Sequence, residues 1–244
     1  ADRSVNQPFM DELKSNFNSD QYTFEDGDRI LHSHGQNGPD EVFKVLYNKL
    51  EKFTDLVFYI ESEQDVISLI DLAKKHDVCL VPFGGGTNVT NALKLPNEED
   101  RMIVSVDTRR MNKIESLDKE NLMVTVQAGI TGKILEENLQ KEGYTVGHEP
   151  DSIELSTLGG WISTNAAGMK KNRYGNIEDI VQNVIIITPN GSINQIEPLV
   201  RSSIGIKTQN LLFGSEGNLG IITKATLRMH KLPECSEYEA VVLK

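Results

Sequence analysis

Cysteine is almost absent from the 244-residue chain. Cys79 and Cys235 are the two it has, too few for a secreted disulfide framework and without the spacing of a metal-binding pair. A reducing or thiol-neutral compartment is expected, with both thiols plain core or surface groups and no metal. Basic residues are scarce too: 25 Lys and Arg face 36 Asp and Glu, a net charge of −11. No basic run offers the counterion release that drives binding to a phosphate backbone, which excludes nucleic acid as a partner. Only Lys170, Lys171 and Arg173 cluster, and a cluster of that size reads as a solvated turn. Long apolar runs are missing. Stretches such as residues 184–187 fall far short of the ~20 residues a membrane span needs, and no signal-like apolar segment opens the chain. The first residue is Ala1 and not Met, so a leader removed by processing is expected. What is present is ordinary for a folded protein, 38% hydrophobic and 25% charged residues, at a length that suits one large domain or two small ones.

The pattern changes along the chain. Residues 1–52 are polar, with scattered aromatics, a Gly38-Pro39 break and a helix-like stretch over 40–52, and they read as an N-terminal extension packed on something else. Residues 56–60 form a β-prone run ending at Ser62, which can cap a helix carrying Val66, Ile67, Leu69, Ile70 and Ala73. His76-Asp77 closes that helix, and residues 79–82 read as a second buried strand. Residues 102–107 are apolar, and Leu122, Val124 and Val126 alternate as a half-buried strand should. Thr131 can cap a helix that Gly143 ends. Residues 183–188 and 192–196 flank Pro189-Asn190-Gly191, a hairpin signal, and 221–229 alternate again. Many short strands with helices at irregular intervals predict an α+β fold in two layers or subdomains.

Three strings carry the chemistry. In Pro82-Phe83-Gly84-Gly85-Gly86-Thr87-Asn88-Val89 the glycines allow positive φ, expected at Gly85, and turn N–H groups toward one point, a nest for an anion such as pyrophosphate. A Walker A loop is excluded because no Gly-Lys-Ser/Thr follows, and a Rossmann fingerprint because its third glycine falls on Val89. Three glycines alone are equally a flexible surface turn. The second string, Asp151-Ser152-Ile153-Glu154-Leu155-Ser156-Thr157-Leu158-Gly159-Gly160-Trp161-Ile162-Ser163-Thr164-Asn165-Ala166-Ala167-Gly168, is small and hydroxylic, which suits a backbone lying against a ligand. A small-residue helix on a sheet explains part of it, but not hydroxyls at both ends. The third, Gly214-Ser215-Glu216-Gly217-Asn218-Leu219-Gly220-Ile221-Ile222, is a tight turn feeding a strand. Trp161 reads as core, and His76 as a helix-end residue favoured by the dipole.

In this order and spacing the three strings resemble those of the vanillyl-alcohol oxidase type of flavoprotein, with its Gly-Gly-Gly-Thr loop, Leu-Gly-Gly…Thr-Asn-Ala-Gly segment and Gly-Ser-Glu-Gly-x-Leu-Gly turn. Within that group the chain is similar to the alkyldihydroxyacetonephosphate synthase family. The narrower likeness rests on Gly147-His148-Glu149-Pro150-Asp151-Ser152, Gly168-Met169-Lys170-Lys171-Asn172, Tyr174-Gly175-Asn176-Ile177-Glu178-Asp179 and Ala128-Gly129-Ile130-Thr131-Gly132. One residue departs from it: Asn165 stands where that family has Arg, giving the Thr-Asn-Ala form of related 2-hydroxyacid dehydrogenases.

The resemblance implies an α+β, two-subdomain FAD-binding fold of the vanillyl-alcohol oxidase or PCMH type. It divides the chain into an N-terminal extension (1–52), the FAD-binding domain (53–233) and the start of a substrate-binding cap (234–244). Pro82, Phe83, Gly84, Gly85, Gly86, Thr87 and Asn88 would hold the pyrophosphate of FAD. Asp151, Ser152, Ile153, Glu154, Leu155, Ser156 and Thr157, then Thr164, Asn165, Ala166 and Ala167, then Glu216, Gly217, Asn218, Leu219, Gly220, Ile221 and Ile222 would make the remaining contacts. His148, inside a family string and three residues before Asp151, would be catalytic or position the substrate. The implied reaction exchanges the acyl group of acyl-dihydroxyacetone phosphate for a fatty alcohol, forming the ether bond of alkyl-dihydroxyacetone phosphate with no net oxidation. A peroxisomal homodimer is implied, touching a membrane through parts beyond this chain; the 244 residues alone should bind FAD without turning over. Two alternatives share the FAD domain: an oxidoreductase acting on a 2-hydroxy acid, and a flavin-binding module without chemistry.

Overall fold

In the computed structural model, which describes residues 3–194, 203, 205–237 and 239–242, the first part of the chain runs α1 (Gln7–Asn16), β1 (Tyr22–Thr23), α2 (Asp26–Leu31), α3 (Pro39–Leu46), β2 (Leu56–Tyr59), α4 (Glu63–His76), β3 (Cys79–Phe83) and β4 (Ile103–Asp107). Strands β2, β4 and β3 are parallel and β1 adds antiparallel at one edge, in the order β1-β2-β4-β3. The strand, helix, strand unit read from the sequence is present, with β4 inserted between its strands. Ser62 accepts the N–H of Asp65 and caps α4, and Asp77 ends it in the left-handed region at φ 53°. A Ser62→Ala variant should lose about 1 kcal/mol, read as a lower urea midpoint with unchanged far-UV circular dichroism.

The N-terminal residues enter this layer. Phe9, Met10 and Leu13 of α1 are fully buried with Val66, Leu69 and Ala73 of α4 in one core. Asn6 caps α1 and donates its amide to the His76 carbonyl at 2.9 Å, tying both helices together. Helix α3 is shorter than the stretch 40–52. It stops at Leu46, and Asn48 at φ 55° turns the chain away.

The second part runs β5 (Ile114–Asp118), β6 (Met123–Gln127), α5 (Gly132–Lys141), β7 (Tyr144–Thr145), α6 (Leu158–Ser163), α7 (Lys171–Tyr174), α8 (Ile177–Ile180), β8 (Val181–Thr188), β9 (Gly191–Ile193), β10 (Ile221–Arg228) and β11 (His230–Lys231). Five of these strands make an antiparallel sheet, β5-β6-β10-β8-β9. In the β8–β9 hairpin Thr188 pairs with Gly191, so Pro189 and Asn190 form the turn; residues 195 and 196 of the strand read from the sequence lie outside the described residues.

Residues 184–187 of β8 are a continuous apolar run because both faces of the strand are covered there. Val184 and Ile186 pack into the core with Trp161 and Leu135, whereas Ile185 and Ile187 pack on the opposite side with α4. That two-sided burial joins the units. Thr223 and Lys224 on β10 reinforce the join through Glu63 in the first turn of α4, at 3.3 and 3.7 Å.

Candidate functional site

A cleft of about 360 Å³ opens where the C-terminal end of β3 faces α6. Its walls are the three strings, and they touch. A Cβ on Gly84 would run into the Thr157 hydroxyl, one on Gly85 into the Leu155 carbonyl, and one on Gly217 would sit 3.3 Å from the Pro82 ring. Helix α6 is the hub. Thr157 caps its start by accepting from Gly160 N, and at its end the carbonyls of Ile162 and Ser163 accept the N–H groups of Gly214 at 3.2 Å and Glu216 at 2.8 Å. Gly159 lets this helix lie close to Ala128, which a Cβ there would meet at 3.1 Å.

The loop after β3 is a set of unused donors. Among the described residues no acceptor takes the backbone N–H of Gly84, Gly85, Gly86, Thr87 or Asn88. Unpaired N–H groups at a cleft are costly unless a ligand or water accepts from them. The carbonyl side of the same loop is occupied: Gln36 N donates to Gly86 O at 2.6 Å and the Asn37 amide to Thr87 O at 3.4 Å. The loop is therefore held from behind with its donors facing forward. Positive φ falls on Gly86 (65°) and not on Gly85. Gly85 is required for a different reason, the backbone of Leu155 and Ser156 lying where its side chain would be.

Most of the residues expected at the cofactor line the cleft: all seven from Pro82 to Asn88, then Ser152, Ser156 and Thr157, all four from Thr164 to Ala167, and Glu216, Gly217, Gly220, Ile221 and Ile222. Asp151, Ile153, Glu154, Leu155, Asn218 and Leu219 are not in its lining. They shape turns behind it, Ile153 N returning to Pro150 O and Leu155 N to Ser152 O. The lining also includes Thr108, just beyond β4 and outside all three strings, together with Pro150 and the edge of Trp161, a residue that is otherwise core at 1% exposed. Thr90 reaches across the mouth, its hydroxyl donating to Glu216 at 3.0 Å.

His148 is not in the lining. It is 1% exposed, its ring lies 4.7 Å from that of Trp161, edge-on, and neither ring nitrogen has a partner. Burial drives its pKa down to about 4, so the imidazole is neutral at pH 7. The segment before it is clamped by Glu136 of α5, whose carboxylate accepts from the Thr145 hydroxyl at 2.7 Å and from Val146 and Gly147 N at 3.1 and 3.3 Å. Burial raises the Glu136 pKa and these bonds oppose the rise. Of the three basic residues 170, 171 and 173, Lys170 pairs with Glu149 and all are exposed.

On the other side of the glycine loop, His32 and Asp107 form a buried pair at 2.9 Å, each 1% exposed, with His32 Nδ1 at 2.7 Å from Asp28 O and its ring 4.3 Å from Phe83. Burial pushes the Asp107 carboxyl up, but the bonds from His32 and Arg109 outweigh it and hold the group below its usual range. The pair fixes the ring that ends β3, and with it the start of the loop.

Close backbone approach, five free N–H groups and a cleft within the usual range for cofactor sites fit a dinucleotide held by its pyrophosphate. The site and fold thus define a flavoprotein domain of the FAD-binding class. The model of the family described as FAD binding domain matches residues 54–197, and the chain belongs to that family. Its cofactor is FAD.

The chain is, further, 40% identical over 234 residues to alkyldihydroxyacetonephosphate synthase of Caenorhabditis elegans, covering 96% of this chain and 38% of that protein. It is 38% identical over 230 residues to alkyldihydroxyacetonephosphate synthase of Dictyostelium discoideum, covering 94% and 37%. A solved structure of alkyldihydroxyacetonephosphate synthase superposes with a TM-score of 0.89 at 36% identity, covering 96% of this chain and 42% of that one. The chain therefore spans about two fifths of the length of the relatives it matches. The fold is the α+β, two-subdomain FAD-binding fold of the PCMH type that the strings implied.

Proposed function

We propose that this chain is the FAD-binding part of an ether-lipid enzyme that replaces the acyl group of acyl-dihydroxyacetone phosphate with a fatty alcohol. The observation that carries the proposal is the meeting of the three strings around one cleft, in a chain so similar to synthases of that name. Bound FAD supplies a ring that can take and return an electron pair at a substrate carbon. The chain's own part is to hold that ring in place. The N–H groups of residues 84–88 take the pyrophosphate charge, as a preorganised nest does without reorganising. Trp161, pinned by its indole donating to Ser156 at 2.8 Å, forms the floor. His148 supports that floor from behind, and the geometry favours positioning by packing over proton transfer from its ring. The exchange needs a base for the proton next to the substrate carbonyl; among the described residues of the cleft lining the one carboxylate is Glu216, and it already accepts from the Thr90 hydroxyl. Peroxisomal residence, a homodimer and membrane contact belong to the same proposal through the resemblance.

A second reading, oxidation of a 2-hydroxy acid, is favoured by Asn165, which lines the cleft at φ 50° in the Thr-Asn-Ala form. Anaerobic incubation of the native protein with its FAD separates the two. Labelled fatty alcohol should enter alkyl-dihydroxyacetone phosphate while the flavin spectrum returns to the oxidised form. Bleaching by a 2-hydroxy acid, with no exchange, would overturn the proposal.

A further inference from the structure

The free N–H groups of residues 84–88 belong to successive peptide units, none of them cis, and in a trans unit the C=O points opposite to the N–H. What holds the carbonyl therefore aims the donor. The Phe83 carbonyl shares its unit with Gly84 N–H and accepts from Thr108 N at 3.0 Å and from the Thr108 hydroxyl at 3.1 Å. The Gly86 carbonyl shares its unit with Thr87 N–H and accepts from Gln36 N at 2.6 Å. The Thr87 carbonyl shares its unit with Asn88 N–H and accepts from the Asn37 amide at 3.4 Å. Thr108 lies inside the span that the FAD-binding family matches, residues 54–197, whereas residues 36 and 37 precede it. Neither of these two lines the cleft; they work from behind it.

The segment that carries them is itself anchored. Glu41 of α3 is 4% exposed and accepts Gly35 N through Oε1 at 2.8 Å. The His34 Nδ1 atom lies 2.8 Å from Gly35 O and is the donor, because a carbonyl only accepts. A Cβ on Gly35 would lie 2.8 Å from Asn88 O, so the segment rests on the backbone of the loop. The bonds form a chain with one sense: His34 Nδ1–H to Gly35 O, Gln36 N–H to Gly86 O, and Thr87 N–H left free for a ligand. Peptide units joined in this way polarise one another. Unit 86–87 depends most on such a hold, since Gly86 has no Cβ to hinder its rotation.

We infer that residues 34–37 are positioning residues of the cofactor site, a strap whose Gln36 N–H stops the 86–87 peptide unit from flipping and so keeps Thr87 N–H on the pyrophosphate of FAD. The inference rests on the reading of residues 84–88 as the pyrophosphate loop. Strap and cofactor favour the same orientation of the unit, so by reciprocity bound FAD strengthens the strap as the strap strengthens FAD binding.

The test compares Gln36→Pro, which removes that N–H, with Gln36→Ala, which keeps it. Both lose the side-chain bond to Leu31 O, so its effect cancels. Release of FAD from the loaded protein, followed by the return of flavin fluorescence on dilution, should be ~10-fold faster in Gln36→Pro, the range of one hydrogen bond, and within ~2-fold of the unaltered protein in Gln36→Ala. Nuclear magnetic resonance of the FAD-loaded proteins separates aiming from general damage. The Thr87 amide proton should move upfield in Gln36→Pro and not in Gln36→Ala, whereas the Gly85 amide, whose unit takes no bond from the strap, should stay; movement of both alike would overturn the inference. Should Gln36→Pro fail to fold, hydrogen exchange in the unaltered protein decides: FAD should slow exchange of Gln36 N–H by a similar ~10-fold, and exchange indifferent to FAD would overturn the inference, as would equal FAD release from the two variants. Failure of the loop reading shows separately. A Gly85→Val protein that keeps FAD sinks that reading, whereas one that loses FAD while Gln36→Pro holds it normally sinks only the strap.

Discussion

A Gly85→Val protein should purify colourless, with FAD affinity lowered ~100-fold or more and its secondary structure retained. The cause is steric and local. The added Cβ meets the carbonyl oxygen and carbon of Leu155 and the Cα of Ser156, which are backbone atoms and cannot rotate away as a side-chain tip can. The glycine loop must then lift off the second string, and the donors of residues 84–88 no longer converge. Two or three lost charge-assisted bonds at about 1.5–3 kcal/mol each account for the affinity. The overpacking itself should cost about 1–3 kcal/mol of stability. Flavin absorbance per protein after gel filtration reads the first effect, and urea unfolding followed by far-UV circular dichroism reads the second. Gly86→Val should give the same phenotype from a different cause: its φ of 65° is barely open to a β-branched residue, and its Cβ would meet the Phe83 ring at 2.9 Å. A Gly85→Val protein carrying one FAD per chain would remove the pyrophosphate loop from the account of this site.

The contrast between these glycines shows what was legible in the sequence. That the loop turns N–H groups outward follows from composition, and so does the strand, helix, strand frame that presents it, because Ser62, the spacing of Val66, Leu69, Ile70 and Ala73, and Asp77 are local signals. Which glycine needs positive φ and which needs an empty side chain depends on Leu155, seventy residues away, and no local pattern encodes that contact. Helix α1 was hidden for a related reason. Its apolar face is only Phe9, Met10 and Leu13 within a polar segment, too few for periodicity to count, and its burial comes from α4. The convergence of the three strings was readable only through the family likeness, since each string alone is compatible with an ordinary turn. The clamp of Glu136 on residues 145–147 and the pairing of His32 with Asp107 were not readable at all. They join side chains from separate elements, His32 following α2 and Asp107 ending β4, 75 residues apart in the chain.

His148 should make the protein acid-labile in a way that one substitution abolishes. Burial against Trp161, without a partner for either nitrogen, holds its pKa near 4, against about 6.5 in the unfolded chain. The depressed value means that the folded state refuses a proton which the unfolded state accepts. Its contribution is therefore fully present above about pH 6.5, is lost as the pH falls through the interval between the two values, and changes no further below about pH 4. The loss amounts to about 2 kcal/mol between pH 7 and pH 5 and about 3 kcal/mol in all. Other ionisable groups contribute to the pH dependence of stability as well, so the comparison must be made against a variant. In His148→Phe the ring stacks on Trp161 with nothing to protonate, and the difference in urea-derived stability between pH 7 and pH 5 should shrink by that 2 kcal/mol. Equal pH dependence in both proteins would show that the imidazole is charged or solvated in the folded state. The same variant tests the positioning role. If His148 acts by packing behind the cleft floor, the whole enzyme carrying His148→Phe keeps its FAD and most of its exchange activity. If the imidazole carries a proton in the reaction, FAD stays bound while exchange falls by at least ~100-fold, the contribution typical of a general acid or base.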